Sequence, residues 1–414
     1  MGPNAPAIFL TFMDERAHRT RCLIVRLIGF LVVMMTVTYA NAQPVHFDRK
    51  DPNVYRAIDK DLSLGIGSPG ALYVVKGKQF IRIAGADRFE SFSIDKTAHK
   101  VVVVLGDYTC AGKTRYEWTF GHLAARLENA TAFALHQNKD WKSAAAGFAR
   151  AAALDPTWRI AAYNLASAHQ LLGDKPAAIK ALAPFLATDP LGTSLDIARD
   201  PELAPLLDQP ALVAIRSTKP GSAKLTTAGL DGKVLFAPDR NLIAVARVES
   251  SWGSSAFTVD VQIWDAATSK LVASTTVVEW GETKNDEKGL VAATKSVVTE
   301  RMTRLSTQLA ALGFRPAAKV EKGVESSDGA KAKIHFAKAK LGLVGPGDMH
   351  SAAFTDGVVN VLRKNTTLAT AKITGRLVAA SFVEEASAII IEMQRHSSEG
   401  CDGGPEVALT VVKI

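Results

Sequence analysis

Two short stretches, FARAAALDP at residues 148–156 and ALAPFLATDP at residues 181–190, decide how the middle of this chain folds. Both are rich in alanine, both end in Asp-Pro, and their prolines, Pro156 and Pro190, lie 34 residues apart. Apolar side chains recur with helical spacing before each proline, and proline ends such a pattern because it lacks a backbone N–H. A period of this length fits one helix–turn–helix unit. The sequence therefore predicts two helical hairpins in tandem.

The repeated positions resemble those of the tetratricopeptide repeat (TPR) family. A small residue, a bulky apolar residue and a proline recur at matching positions of the four compared: Ala144, Phe148, Ala151 and Pro156, and then Ala178, Leu182, Phe185 and Pro190. The resemblance covers residues 123–190 and implies a helical domain at 121–216 that holds two 34-residue repeats. Because two repeats are fewer than the roughly three that bury a stable core, residues 194–216 are expected to cap the last repeat.

The resemblance also implies where a partner would bind. TPR proteins hold a peptide in a concave groove lined by the first helix of each repeat, which corresponds here to residues 126–138 and 159–171. By repeat position the groove residues would be Asn129, Phe133, His136, Tyr163, Ser167 and Gln170. The two aromatic rings are expected to stand exposed in the groove, and the nearby Arg126 and Lys139 favour an acidic protein segment. A spacer or dimerising block without a peptide ligand remains the alternative.

The regions on either side of the hairpins are rich in short β-like runs. Residues 43–120 contain ALYVV, FIRIA, FESFSI, VVVVL and RYEWTF, and residues 222–414 contain many more. Residues 233–272 are similar to a single WD-repeat blade, and a helix at about 288–312 interrupts the strands with helical apolar spacing. We therefore predict an α+β protein: central TPR-like hairpins, an N-terminal β region, and a C-terminal antiparallel sheet with one packed helix.

The stretch VVVVLGDYTCAGKT at residues 101–114 superficially matches a phosphate-binding P-loop. In that motif four residues separate the two glycines, and Asp107 stands where the first glycine belongs. A P-loop also leads directly into a helix, whereas the RYEWTF that follows has the alternation of a strand. Two strands, Val101–Leu105 and Arg115–Phe120, joined by a loop at 107–113, explain the stretch better. The same layout recurs in the last hairpin of the chain, from residue 388 onwards.

The N-terminus predicts export. Several arginines precede a short apolar run, and Ala40-Asn41-Ala42 supplies the small-residue cleavage pattern of a signal peptide over residues 1–42. We expect the mature protein to be periplasmic or secreted, with membrane contact only through the leader before its cleavage. Of the three cysteines, Cys110 and Cys401 remain after cleavage, and both lie in polar loops. An exported chain allows them to form a disulfide, and two free thiols are the alternative.

Composition and motifs exclude several functions. The formal net charge is +8, but Lys and Arg are scattered instead of clustered with aromatics, which argues against nucleic-acid binding. No cofactor motif, metal-ligand spacing or catalytic constellation is present, and Asp348 with His350 is the most site-like pair. The first hypothesis is therefore an exported, non-enzymatic scaffold that binds a protein partner. The alternative is an exported hydrolase or a lectin-like module in the C-terminal β domain, with the hairpins used for docking.

Overall fold

The computed structural model describes helices and antiparallel sheets together, which confirms the predicted α+β class. The chain divides into two compact units, one ending at Ala86 and the other beginning at Asp87. The described residues are 55–59, 61–67, 71–84, 89–106, 113–225, 234–250, 257–278, 288–322, 324–327, 332–336, 350–355, 358–363, 366–372, 376–395 and 406–414.

The first unit contains a four-stranded antiparallel sheet whose strands follow one another in chain order. Its buried side chains include Leu64, Leu72 and Val74, in agreement with the apolar runs of the sequence. The strands are β1 (Tyr55–Ala57), β2 (Ser63–Gly67), β3 (Ala71–Lys76) and β4 (Gln79–Ala84).

The second unit opens with a three-stranded antiparallel sheet that leads directly into the first helix. The strands are β5 (Phe89–Asp95), β6 (Lys100–Gly106) and β7 (Lys113–Thr119). Strands β6 and β7 pair with Val103 opposite Tyr116, so the predicted hairpin forms, and Lys113 and Thr114 lie in a strand instead of opening a helix. The loop that carries Cys110 lies outside the described residues.

Two helical hairpins follow, and they repeat at the level of individual residues. The helices are α1 (Phe120–Gln137), α2 (Trp141–Leu154), α3 (Arg159–Leu171) and α4 (Lys175–Thr188). Each hairpin turns at a residue with positive φ, Lys139 at 63° and Gly173 at 81°. The next residue, Asp140 or Asp174, caps the second helix through its side chain. These turns and caps fix the same helix–turn–helix geometry twice.

Small residues let the paired helices approach closely. Phe148 of α2 and Leu182 of α4 occupy equivalent positions and are fully buried. A side chain at Gly147 would place its Cβ 2.7 Å from the Cβ of Ala132, so this crossing of α1 and α2 requires glycine. The alanine-rich sequence therefore reflects close helix packing.

The segment after the hairpins covers the end of the second one. It consists of α5 (Pro190–Arg199), a 3₁₀ turn (Ala204–Asp208) and the short helix α6 (Pro210–Val213). Its apolar side chains pack on Leu182 and Ala178 of α4. They are Ile197, Leu203, Leu206 and Leu212. This is the region in which capping was expected from the repeat number.

In the residues described after 225, the C-terminal part contains three further sheets and one long helix. The helix α7 (Lys288–Ala311) packs on a sheet of strand order β11-β10-β9-β8-β12, with Val298, Met302 and Leu305 buried at the contact. The strands of that sheet are β8 (Val234–Ala237), β9 (Leu242–Ser250), β10 (Phe257–Asp265), β11 (Lys270–Val278) and β12 (Arg315–Pro316). The predicted sheet with one packed helix is thus confirmed.

A second sheet covers the opposite face of the first, with Phe236 and Trp264 packed against Ile390 and Val411. Its order is β13-β19-β20-β21, and the last pair is the predicted C-terminal hairpin. Its strands are β13 (Val320–Lys322), β19 (Arg376–Val383), β20 (Ala388–Arg395) and β21 (Glu406–Lys413). A third sheet contains β14 (Val324–Ser327), β15 (Ala332–Phe336), β16 (His350–Thr355), β17 (Val358–Arg363) and β18 (Thr366–Lys372).

Helix α5 belongs to two cores at once. Its Ile197 packs with the hairpins, whereas its Leu195 and Ala198 pack with the sheet and α7. The stretch at 217–223 is also fixed by hydrogen bonds: the backbone N–H of Ser217 donates to the carbonyl of Ala311 at the end of α7. The hairpins and the C-terminal sheet are therefore packed together through α5 and the stretch that follows it. In the described part of the chain, no helix combines the length and apolar character that crossing a bilayer requires.

Candidate functional site

The six predicted groove residues occupy equivalent positions on α1 and α3, and we call them the inner face. Asn129, Phe133 and His136 lie on α1, and Tyr163, Ser167 and Gln170 lie on α3. The Nδ2 atom of Asn164 donates a hydrogen bond of 2.9 Å to Oδ1 of Asn129 and joins the two helices. The structure therefore places these residues on neighbouring helices, as the repeat period predicts.

A carboxylate from the chain itself occupies part of the inner face. The hydroxyl of Ser167 donates to Oε2 of Glu202, and Nε2 of His136 lies 3.2 Å from the same oxygen. The side chain of His136 is 11 % exposed, whereas that of Glu202 is 43 % exposed. Glu202 follows α5, outside the repeats, so the cap segment reaches back across both hairpins. The chain itself therefore fills this part of the predicted groove.

The order of these three groups differs from that of a hydrolase triad. In a triad, histidine bridges the nucleophile and the acid, so that it can take the hydroxyl proton. Here the carboxylate is the bridging group, and in the described part of the chain no hydrogen bond joins His136 to the hydroxyl of Ser167. This geometry fits a hydrogen-bonded tie between segments. It does not provide a base aligned to activate Ser167.

The two aromatic residues of the inner face are partly buried, not freely exposed as expected. Tyr163 donates its hydroxyl to Oδ2 of Asp196 at 3.4 Å, and its ring meets Phe185 edge to face. Burial and the charge of Asp196 raise the pKa of Tyr163. Phe133 stacks on the ring of His136, with centroids 6.0 Å apart. Both rings therefore contribute to packing within the hairpins.

Two polar atoms of the inner face lack a hydrogen-bond partner. They are Nδ1 of His136 and Oε1 of Gln170, and both are buried. An unpaired buried polar atom usually costs about 1–3 kcal/mol, so each of them would gain from a ligand that supplied the missing group. The side-chain oxygen of Gln170 is therefore able to accept a hydrogen bond from a ligand, whereas the side-chain oxygen of Asn129 already accepts one from Asn164.

A polar network connects α3, α5 and β11 beside the inner face. The guanidinium of Arg159 donates to Asp189 at 3.0 Å and to Asp196 at 3.4 Å. Thr275 of β11 donates to the other oxygen of Asp196 at 2.8 Å. Burial raises the pKa of Asp196, although Thr275 and the nearby arginines oppose that rise. This network joins the hairpins to the sheet through one carboxylate.

Replacing Asp200 by asparagine is expected to alter the pH dependence of stability. Burial raises the pKa of Asp200 above 3.8, and the charge of Glu202 raises it further. The folded state therefore keeps this proton in a pH window where the unfolded chain has lost it. The contribution of Asp200 to stability is full below pH 3.8 and falls as the pH rises through the raised pKa. Urea unfolding of Asp200→Asn across the acidic range should lack this fall.

The matched control is Asp140→Asn. Hydrogen bonds from Ser143 lower the pKa of Asp140, so its contribution is present above pH 3.8 and is lost as the pH falls. The two variants should therefore change the pH profile in opposite directions. An unchanged profile in Asp200→Asn would show that Asp200 does not bind the proton in the folded state.

Sequence reasoning missed the groups outside the repeats. Glu202 and Asp196 lie after the repeats, and Arg159 of α3 pairs with Asp196, yet no motif or period marks any of the three. The predicted disulfide between Cys110 and Cys401 lies outside the described residues, as does Asp348. His350 begins β16 in the C-terminal region. In the ranges that the structure describes, no three His, Cys, Asp or Glu side chains converge as a metal site.

Comparisons with known proteins identified no relative of this chain. The chain gave no match to any family model and no significant match to curated proteins or to solved structures.

Proposed function

We propose that this chain is an exported, non-enzymatic binding protein that captures a protein segment on the inner face of its helical hairpins. The resemblance of the hairpins to TPR units supports this role. The observation that carries the proposal is the carboxylate of Glu202 between Ser167 and His136. Donors that hold a carboxylate of the same chain can hold one from a partner.

The contacts around Glu202 favour its replacement by a carboxylate of the partner. Its side chain is 43 % exposed, and its charge is unfavourable for the neighbouring Asp200. A partner carboxylate that replaced Glu202 would keep the bonds of Ser167 and His136. The partner's backbone N–H would also supply a donor to Oε1 of Gln170, which now has none. An acidic peptide segment is therefore the ligand that this face fits best.

Replacing Glu202 by glutamine should increase partner capture, because a neutral amide competes less well for the donors of Ser167 and His136. One charge-assisted hydrogen bond corresponds to roughly a tenfold change in affinity. The measurement is quantitative capture from the native envelope fraction by the chain that lacks residues 1–42. The double variant Ser167→Ala with His136→Ala should capture about tenfold less.

Glu128→Gln is the matched control, since this carboxylate pairs with Arg150 at 3.0 Å, away from the contact with Glu202. It should capture as much as the unchanged protein. Equal capture by all four proteins would overturn the proposal and leave the contact of Glu202 as a structural tie.

A further inference from the structure

The junction between β7 and α1 holds a cation, Arg126, for which the described residues supply no counter-charge. The guanidinium carbon of Arg126, in the second turn of α1, lies 5.5 Å from the centre of the Trp118 ring. Burial lowers the pKa of Arg126. Among the residues that the structure describes, none accepts a hydrogen bond from it or forms an ion pair with it. An arginine is rarely enclosed in a protein without an acceptor, so a ligand that supplied one would find a favourable partner in Arg126.

Three acidic side chains of β7, α1 and the end of α2 are engaged elsewhere. Each forms an ion pair with another basic residue at 3.0 Å or less: Glu117 with Arg115, Glu128 with Arg150, and Asp155 with His122. The side-chain nitrogens of Arg126 each keep some contact with solvent. These three carboxylates are therefore engaged with other partners, and an acceptor for Arg126 has to come from another source.

Trp118 and Tyr116 form an aromatic platform beside Arg126. Their ring centroids are 5.7 Å apart with an angle of 21° between the planes. They stand opposite Val101 and Val103, which are fully buried, yet the ring of Tyr116 is 41 % exposed. An exposed ring on an otherwise buried row offers contact area to a ligand at low entropic cost.

The position of this platform favours a polypeptide ligand. Arg126 lies three and seven residues before Asn129 and Phe133, so it continues their stripe on α1. Strand β7 is an edge strand in the described sheet of order β5-β6-β7, next to which an extended segment can lie. The platform therefore adjoins both the inner face and a strand edge.

We propose that Arg126 and the Trp118–Tyr116 platform form a binding site for an acidic segment of a partner protein. A carboxylate of that segment pairs with the guanidinium, and an adjacent apolar or aromatic side chain packs on Tyr116. The inference rests on the proposed function only in that the ligand is a protein segment; the site and its residues are distinct from the contact of Glu202.

The test uses the chain that lacks residues 1–42 and a labelled random copolymer of glutamate and tyrosine as the acidic probe, in fluorescence anisotropy at low ionic strength. Arg126→Gln should weaken binding about tenfold or more, because it removes a charge-assisted, forked contact. Arg150→Gln is the matched control, since it removes the same charge from an arginine that already has an acceptor. It should change binding less than about twofold. Arg126→Lys, which keeps the charge but not the fork, should give an intermediate value.

Equal losses in Arg126→Gln and Arg150→Gln would overturn the proposal in favour of non-specific charge attraction. Free glutamate that competed as well as the copolymer at equal carboxylate concentration would overturn the protein segment as ligand. Thermal unfolding separates folding from binding: Arg126→Gln should be at least as stable as the unchanged protein, because a desolvated, unpaired cation has been removed. Increased capture by Glu202→Gln together with no effect of Arg126→Gln would refute this site alone and leave the proposed function intact.

Discussion

Replacing Phe148 by alanine is expected to lower the free energy of unfolding by about 3–5 kcal/mol. The ring is fully buried in the contact between α1, α2 and α3. The buried side chains around it are small, so they cannot move far enough to fill the space: Ala132, Ala144, Ala145 and Ala168. This loss is a large fraction of the total free energy of unfolding, because folded proteins are usually stable by only about 5–15 kcal/mol. Urea unfolding followed by far-UV circular dichroism measures it.

The matched variant is Phe148→Leu. Leucine occupies the equivalent position of the second hairpin, where Leu182 is fully buried as well. A change between large apolar side chains usually costs less than about 1.5 kcal/mol. The leucine variant should therefore retain most of the stability that the alanine variant loses. If both variants unfolded at the same urea concentration, the two hairpins would not share one packing pattern.

Replacing Asp196 by alanine is expected to cost about 3–5 kcal/mol. Its carboxylate, 16 % exposed, accepts hydrogen bonds from Thr275, Tyr163 and Arg159. Removing it leaves two hydroxyl donors without that acceptor and leaves Arg159 with Asp189 and Thr193. Since the carboxylate connects α3 to β11, the hairpins and the sheet should both lose stability in urea unfolding, whether followed by circular dichroism or by tryptophan fluorescence.

Two milder variants identify the source of this loss. Asp196→Asn keeps an acceptor oxygen, and because burial already raises the pKa of Asp196, loss of the charge should cost less than loss of the side chain. Thr275→Val removes one donor and should cost about 1 kcal/mol. An alanine variant no less stable than Thr275→Val would show that Asp196 does not hold the two regions together.

The elements that could be predicted are those fixed by local patterns. The apolar spacing of Val298, Met302 and Leu305 identified helix α7 because all three positions face one core. The 34-residue period predicted that Phe148 and Leu182 would occupy equivalent positions in the two hairpins, and both are fully buried. The valine run at 101–105 and the aromatic alternation after it identified a hairpin, since each strand carries its own period.

The polar contacts could not be predicted, because they join segments distant in sequence. Glu202 meets Ser167 only after α5 has folded back across the hairpins, and no spacing along the chain encodes that contact. Among the described residues Arg126 has no ion-pair partner because Glu117 and Glu128 pair with other arginines. Exposure of Phe133 and Tyr163 was expected from their repeat positions alone, and the contacts of Phe185 and His136 bury both rings in part.

The double packing of α5 limits how far the hairpins can serve as a transferable module. A fragment that ended at residue 188 would lose Ile197 and leave Leu182 and Ala178 without their cover. A fragment that ended at residue 213 would keep the cover but bring Leu195 and Ala198 into water. Grafting the hairpins onto another protein therefore requires redesign of the outer side of α5, with polar residues at these two positions.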